Sequence, residues 1–211
     1  MKQTTRIHLV RHGDVHNPAK VLYGRLPGFR LSRKGMEQAA AAARFLQPLP
    51  VDAVFSSPLL RARQTAAHIL SHHNPLKLRT SVLLNEACTP YEGQPGRVVD
   101  ARKGDVYTFD HPEPCHEQPG DILRRVKKFI ARVFKTYPGG RVVGVTHGDV
   151  IVFTILHALG RDIIPANKNR LKAFGFPDTY PATASVTTLT FDTPSAENRP
   201  QIDYHVPWRS R

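Results

Sequence analysis

Five stretches of the chain set branched apolar side chains next to one another or at alternate positions: RIHLV at 6–10, VDAVFSS at 51–57, LKLRT at 76–80, RVVGVTH at 141–147 and ASVTTLTF at 184–191. Short runs of this kind bounded by turn residues predict β-strands. Between most of them the apolar period lengthens to that of a helix. Ser32 is placed to cap a helix through the alanine-rich MEQAAAAARFLQ, which Pro48 ends, and another helix follows Pro58 through LLRARQTAAHIL. The clearest helix spans 121–137, where Ile122, Val126, Phe129, Ile130, Val133 and Phe134 make one buried stripe before YPGG stops it.

Strands alternating with helices imply an α/β fold with a mostly parallel central sheet covered on both faces. VVGVTHGDVIVFTILHALG, residues 142–160, is long enough to span a bilayer, but it contains His147 and Asp149. An aspartate near the bilayer centre costs about 2.5–3.5 kcal/mol, so the segment reads as a buried strand, a tight turn and a helix, and no membrane span is expected. Residues 82–118 and 161–182 show no regular period; stretches of that length inside a compact domain are functional lids or disordered.

Composition narrows the picture. The 211 residues suit one domain, and 40% hydrophobic with 22% charged residues is ordinary for a packed core. The net charge of +13 is not ordinary and draws anionic partners. Charge alone does not choose among phosphorylated metabolites, nucleic acid and an anionic membrane surface, although no clustered basic run or nucleic-acid motif singles out DNA or RNA; a small phosphorylated substrate is the expected partner once the motifs of the chain are added, and nothing in the pattern specifies an oligomeric state. Cys88 and Cys115 have neither metal-ligand nor redox spacing, so a reducing, cytoplasmic interior is expected, and the first ten residues lack the apolar run of a signal peptide. In HPEPCHE, residues 111–117, the ligand-type residues His111, Cys115 and His116 have no second matching pair, and no metal is expected there.

In parallel sheets ligands gather beyond the carboxyl ends of the strands. That rule brings together RHG at 11–13, SSPLLRARQT at 56–65 and THGD at 146–149. A phosphomonoester carries close to two negative charges and needs fixed, planar donors, which Arg11 and Arg61 offer, with His147 as a further donor. His12 is the candidate nucleophile, since an unprotonated imidazole held through its other nitrogen can attack phosphorus. The departing alkoxide needs a proton, for which Glu86 in LLNEACTPYEG is the first candidate, with Glu92 and Asp14 as substitutes. YGRLPGFRLS, residues 23–32, reads as a loop whose Tyr23, Gly24 and Arg25 line the pocket mouth or form a surface turn.

LVRHGDVHN, SSPLLRARQTA, LLNEACTPYEG and VVGVTHGDVI, in this order, resemble the histidine phosphatase superfamily with its phosphoglycerate mutase-like fold, from about Ile7 to Leu189. The resemblance implies a three-layer α/β/α sandwich. It implies that His12 is phosphorylated, that Arg11, Arg61, His147 and Asn17 surround the phosphoryl group, that Glu86 is the proton donor, and that no metal or organic cofactor is used. Asn17 also reads simply as a turn cap. Departures from the family pattern are Asp14, Tyr91 where the hydrolytic branch favours tryptophan, and Asp149, which either repels phosphate or orients His147. The activity implied is phosphomonoester hydrolysis; a phosphoglycerate mutase and a non-catalytic phosphate- or nucleic-acid-binding module are the alternatives. Arg97, Arg102, Lys103, Lys168, Arg170 and Lys172, in the two irregular segments, are expected to frame the entrance and to favour an acidic or multiply phosphorylated substrate.

Overall fold

In the computed structural model, which describes residues 4–108 and 115–209, the apolar alternation along the strands sorts side chains into two cores. From β1 (Thr5–Arg11) Ile7 and Leu9 enter one core and Val10 the other; β2 (Ala53–Ser56) splits Ala53 and Phe55 from Val54. The central β4 (Arg141–Thr146) sends Val142 to the first core and Val143 and Val145 to the second, all fully buried, as expected of a strand covered on both faces.

The strand order is β3 (Leu78–Thr80), β2, β4, β1, β5 (Val186–Phe191), β6 (Gln201–His205). The first four are parallel, whereas β5 runs antiparallel to β1 and β6 antiparallel to β5. The mostly parallel sheet read from the sequence is therefore present, with an antiparallel flank. Helices α1 (Arg33–Leu46) and α2 (Leu60–Leu70) pack on each other over the second core. The first core lies under α4 (Pro119–Thr136) and α5 (Gly148–Ala158), and Val99 of a short α3 (Gly96–Ala101) packs against it.

Local chemistry accounts for these elements. The Ser32 hydroxyl accepts from the Gly35 N–H at 3.0 Å, which caps α1, and Ala39, Ala42 and Ala43 are buried with no bulk to hold the helix away from the sheet. On α4 the stripe from Ile122 to Phe134 is buried, each large side chain contributing about 1.5–3 kcal/mol. The helix begins two residues before the expected start, because Pro119 suits a first turn and the Asp121 carboxylate accepts from the Gln118 N–H. No helix among the described residues is long and apolar enough to cross a membrane.

Three features depart from the sequence reading. β6 was not anticipated, because only Ile202 and Tyr204 of its five residues lean on the core and the others face water. The irregular segments contain α3 and single 3-10 turns at Val82–Leu84, Pro165–Asn167 and Leu171–Phe174. The cysteines expected to be unpaired form the disulfide Cys88–Cys115. The Glu117 N–H donates to the Cys88 carbonyl and the Glu117 carboxylate accepts from the Cys88 N–H, so two strands of loop run side by side and bring together thiols whose spacing in the chain gives no hint of it. His111 lies outside the described residues.

Candidate active site

Parallel register aligns three chain turns. Arg11 pairs with Thr146 and Ser56 with Val145, so His12, Ser57 and His147, each the residue just beyond its strand, emerge together at the carboxyl edge of β2, β4 and β1. The turn after β1 presses against the start of α1: a Cβ on Gly13 would stand 2.3 Å from the Gly35 carbonyl oxygen, so only glycine fits. The Gly13 N–H is tied to the Thr65 hydroxyl of α2 at 3.1 Å.

His12 is 1% exposed. Its Nδ1 lies 2.8 Å from the Gly13 carbonyl oxygen, which can only accept, so Nδ1 carries the proton and Nε2 the lone pair. Burial, reinforced by the Arg61 and Arg11 guanidiniums, holds the imidazole well below its ordinary value of 6.5 and keeps it neutral.

Arg61, in the first turn of α2, is fully buried. Its Nη2 donates to the Gly24 carbonyl at 2.6 Å and to His147 Nδ1 at 3.2 Å, and its guanidinium lies 4.6 Å from the centre of the Tyr23 ring. His147 Nε2 therefore carries the ring proton and donates to Ser57 Oγ at 2.8 Å, while the Ser57 hydroxyl donates to Asn85 Oδ1 at 2.9 Å. With both nitrogens engaged, His147 at rest aims Arg61 and has no N–H left for an anion. Burial and the Arg61 charge keep this ring neutral as well, and it stands edge-on to His12 with centroids 5.2 Å apart. Arg11 donates to the Pro181 carbonyl and packs 5.0 Å from the centre of the Tyr180 ring. The Nε atoms of Arg11 and Arg61 are buried donors without a protein partner, which suits them to an anion.

Glu86 reaches this group from the loop after β3. Its side chain is 17% exposed, with Oε2 3.7 Å from His147 Nδ1. Burial and then the nearby Asp149 charge push its carboxyl above the ordinary 4.5. The backbone carbonyl of Glu86 is clamped by Arg25 Nε at 2.8 Å and Arg125 Nη2 at 3.2 Å. Both guanidiniums are fixed in turn by the Glu117 carboxylate.

The structure thus brings His12, Arg11, Arg61, His147 and Glu86 into one place and distributes the other candidates around it. Tyr23 and Gly24 line the cavity, whereas Arg25 points away into the Glu117 clamp. Asn17 uses both ends of its amide on the Val21 backbone and closes a turn. Glu92 accepts from the Arg25 N–H, and Asp14 accepts from the Ser32 hydroxyl. Asp149, in the first turn of α5, does not bond His147; it accepts from the Tyr107 hydroxyl, the Tyr180 hydroxyl and Lys168 Nζ. Burial opposes its charge, but Lys168 and the two phenols outweigh burial and hold the carboxyl below its ordinary value. Gly148 is required beside it, since a Cβ there would strike the Tyr180 hydroxyl at 2.1 Å.

A cavity of about 230 Å3 opens from Glu86 and Arg11. Of the six cations expected at its entrance, Lys168 lines it; Arg102 and Lys103 border a separate cleft against Ile164 and Pro165. Among the described residues, His12, Glu86 and His147 are spaced for a metal, with ligand atoms within 4.8 Å of one another. The Arg11 and Arg61 charges beside them oppose a divalent cation and favour an anion. Ser57, Asn85, Tyr107, Tyr180, Glu117 and Arg125 support the site without having been singled out; Ser57 and Asn85 lie inside the motif blocks, but the others carry no local signal.

Residues 7–195 match the family described as the histidine phosphatase superfamily, branch 1. The chain is 49% identical over 198 residues to the uncharacterized protein Rv0525 of Mycobacterium tuberculosis, covering 91% of this chain and 93% of that one. It is 33% identical over 139 residues to fructose-2,6-bisphosphatase TIGAR B of Danio rerio, covering 63% of this chain and 54% of that protein. Among solved structures, mycobacterial glucosyl-3-phosphoglycerate phosphatase Rv2419c matches with a TM-score of 0.73 at 22% identity over 95% of this chain and 97% of that chain, a likeness of fold.

Proposed function

The chain belongs to the histidine phosphatase superfamily, and from that membership we propose that it is a phosphomonoester hydrolase working through a phosphohistidine on a small phosphorylated metabolite. The observation that carries this reading is the state of His12: a neutral imidazole with its proton on Nδ1, its Nε2 lone pair free, and two guanidiniums around it.

Substrate phosphate would be held by Arg11 and Arg61, whose unpartnered Nε donors are already desolvated and oriented, so little reorganisation is needed when charge builds in the transition state. His12 Nε2 attacks phosphorus and the bond from phosphorus to the ester oxygen breaks. Glu86, kept protonated by burial and by Asp149, passes its proton to the departing alkoxide. The Glu86 carboxylate then takes a proton from water, the hydroxide so formed attacks phosphorus, and the phosphorus–nitrogen bond breaks to return neutral His12 and phosphate. A bound dianion also favours protonation of His147, which then gains an N–H to offer it.

The test is hydrolysis of an aryl phosphate by the purified protein with a chelator present, beside His12→Ala. Release of phosphate by the parent and its loss in the variant are expected. Turnover that survives the substitution would overturn the reading.

A further inference from the structure

Resting on that reading, we propose that the cavity beside Glu86 receives the departing alcohol and selects an uncharged one about the size of a single ring, with Asp149 as the residue that sets this preference. The location follows from the chemistry. A general acid must touch the oxygen it protonates, so the space that Glu86 lines together with Arg11, and that the buried His12 and Arg61 do not line, is where the leaving group lies.

Size and lining then limit that group. About 230 Å3 falls below the roughly 300–1,000 Å3 of pockets for drug-sized ligands. The apolar walls are Leu22, Ala87, Val99, Val106 and the rings of Tyr23 and Tyr180, with Thr89 and Asn169 as neutral polar groups that suit an uncharged hydroxylated ring. The cations are Arg11, committed to the phosphoryl group, and Lys168.

Lys168 does not present its charge to the cavity. Its Nζ donates to Asp149 Oδ2 at 3.0 Å and reaches the Gly104 carbonyl at 3.4 Å, and the ammonium lies 5.3 Å and 5.7 Å from the Tyr107 and Tyr180 ring centres. Asp149 is 5% exposed and cancels that charge at close range. Among the described residues that line the cavity, a second phosphate or a carboxylate on the leaving group would meet two carboxyl groups and no free cation. The net charge of +13 draws anions to the protein from a distance, but within the cavity the phosphoryl group is the one anion provided for. This reverses the expectation of an acidic or multiply phosphorylated substrate.

The experiment compares kcat/KM for phenyl phosphate and for 3-phosphoglycerate at acid pH, where Glu86 stays protonated without the Asp149 charge, in the parent and in Asp149→Asn. The parent is expected to favour phenyl phosphate by about tenfold or more. Asp149→Asn, which keeps acceptor and donor atoms for the two tyrosines but frees the Lys168 charge, is expected to narrow that ratio about tenfold, mainly by improving 3-phosphoglycerate. Lys168→Met, which leaves Asp149 uncompensated, should widen it and serves as the test if Asp149→Asn does not fold. A parent that prefers 3-phosphoglycerate, or variants that change both substrates equally, would overturn the proposal while leaving the hydrolase reading intact. No turnover on either ester would overturn both.

Discussion

The floor of the site and its cap are held in different ways. His12, Arg61 and His147 sit on the floor, where β1, β4 and α2 meet, and each is 1% exposed or less. Their positions are fixed by strand register and by backbone bonds such as His12 N–H to the Thr146 carbonyl. The cap consists of Glu86, Tyr107, Lys168 and Tyr180 on segments of little regular structure. There, geometry comes from side chains holding other segments: Glu117 on Arg25 and Arg125, Asp149 on Lys168 and two phenols, and the disulfide. The difference teaches that the floor of the candidate site is set by the sheet and its helices, whereas the cap is set by side-chain contacts between segments far apart along the chain.

Arg61→Ala tests the floor most severely. It deletes an anion donor and leaves His147 Nδ1 and the Gly24 carbonyl without their partner. Loss of one preorganised donor of this kind costs about 10²–10³ in kcat, and steady-state rates on phenyl phosphate should fall by that much. Arg61→Lys should recover little, since a point charge cannot serve the carbonyl, the imidazole and an anion in one plane. The contrast between the regions breaks if Glu117→Gln, a substitution in the cap, reduces kcat more than Arg61→Ala does.

The same contrast explains what was legible in the sequence. The strands around the floor show themselves by apolar runs, and the residue just past each strand in a parallel sheet lies at the ligand edge, so His12 and His147 could be placed together from periodicity. Ser57 stands in the same position, but a serine after a strand also reads as a turn. The cap gave no such purchase. Tyr107 and Tyr180 meet at Asp149 from 42 and 31 residues away, so the role of that carboxylate, left open between repelling phosphate and orienting His147, depended on contacts that no spacing records. The pairing of Cys88 with Cys115 was hidden for the same reason, whereas β6, which pairs with the nearby β5, gives a weak signal because only Ile202 and Tyr204 of its five residues lean on the core.

The two regions also titrate in opposite directions, and pH should expose this as a smaller, graded effect. Burial lowers His12 on the floor, so the proposed nucleophile stays unprotonated well below 6.5; burial and Asp149 raise Glu86 in the cap, so the proposed acid stays protonated above 4.5. Activity is therefore expected to hold on the acid side and to decline about tenfold per pH unit once pH passes the raised Glu86 value. In Glu86→Gln the profile of kcat against pH should lose that alkaline limb. Stability moves the other way. His12 and His147 bind protons more readily unfolded than folded, so their contribution is complete above 6.5 and is lost on acidification, at about 1.4 kcal/mol per pH unit for each ring.

The smallest expected effect on rate belongs to Cys88→Ser, although the bond it removes is covalent. The disulfide closes a separation of 27 residues, and restricting a loop of that size stabilises a chain by about 3.5 kcal/mol in the chain-entropy view. Glu86, two residues from Cys88, takes its position instead from Arg25 and Arg125 on its backbone carbonyl, and Glu117 holds both whether or not the sulfurs are joined. Phenyl phosphate turnover at low temperature should accordingly stay within about threefold of the parent. Hydrogen exchange should quicken across the cap near residues 86–108 while the amides of β1 and β4 remain protected, because those two strands pair with each other and stay covered by the long helices when the cap opens. If β1 and β4 lost protection together with the cap, or if kcat fell as far as in Arg61→Ala, the two regions would be a single cooperative unit and the separation drawn between them would fail.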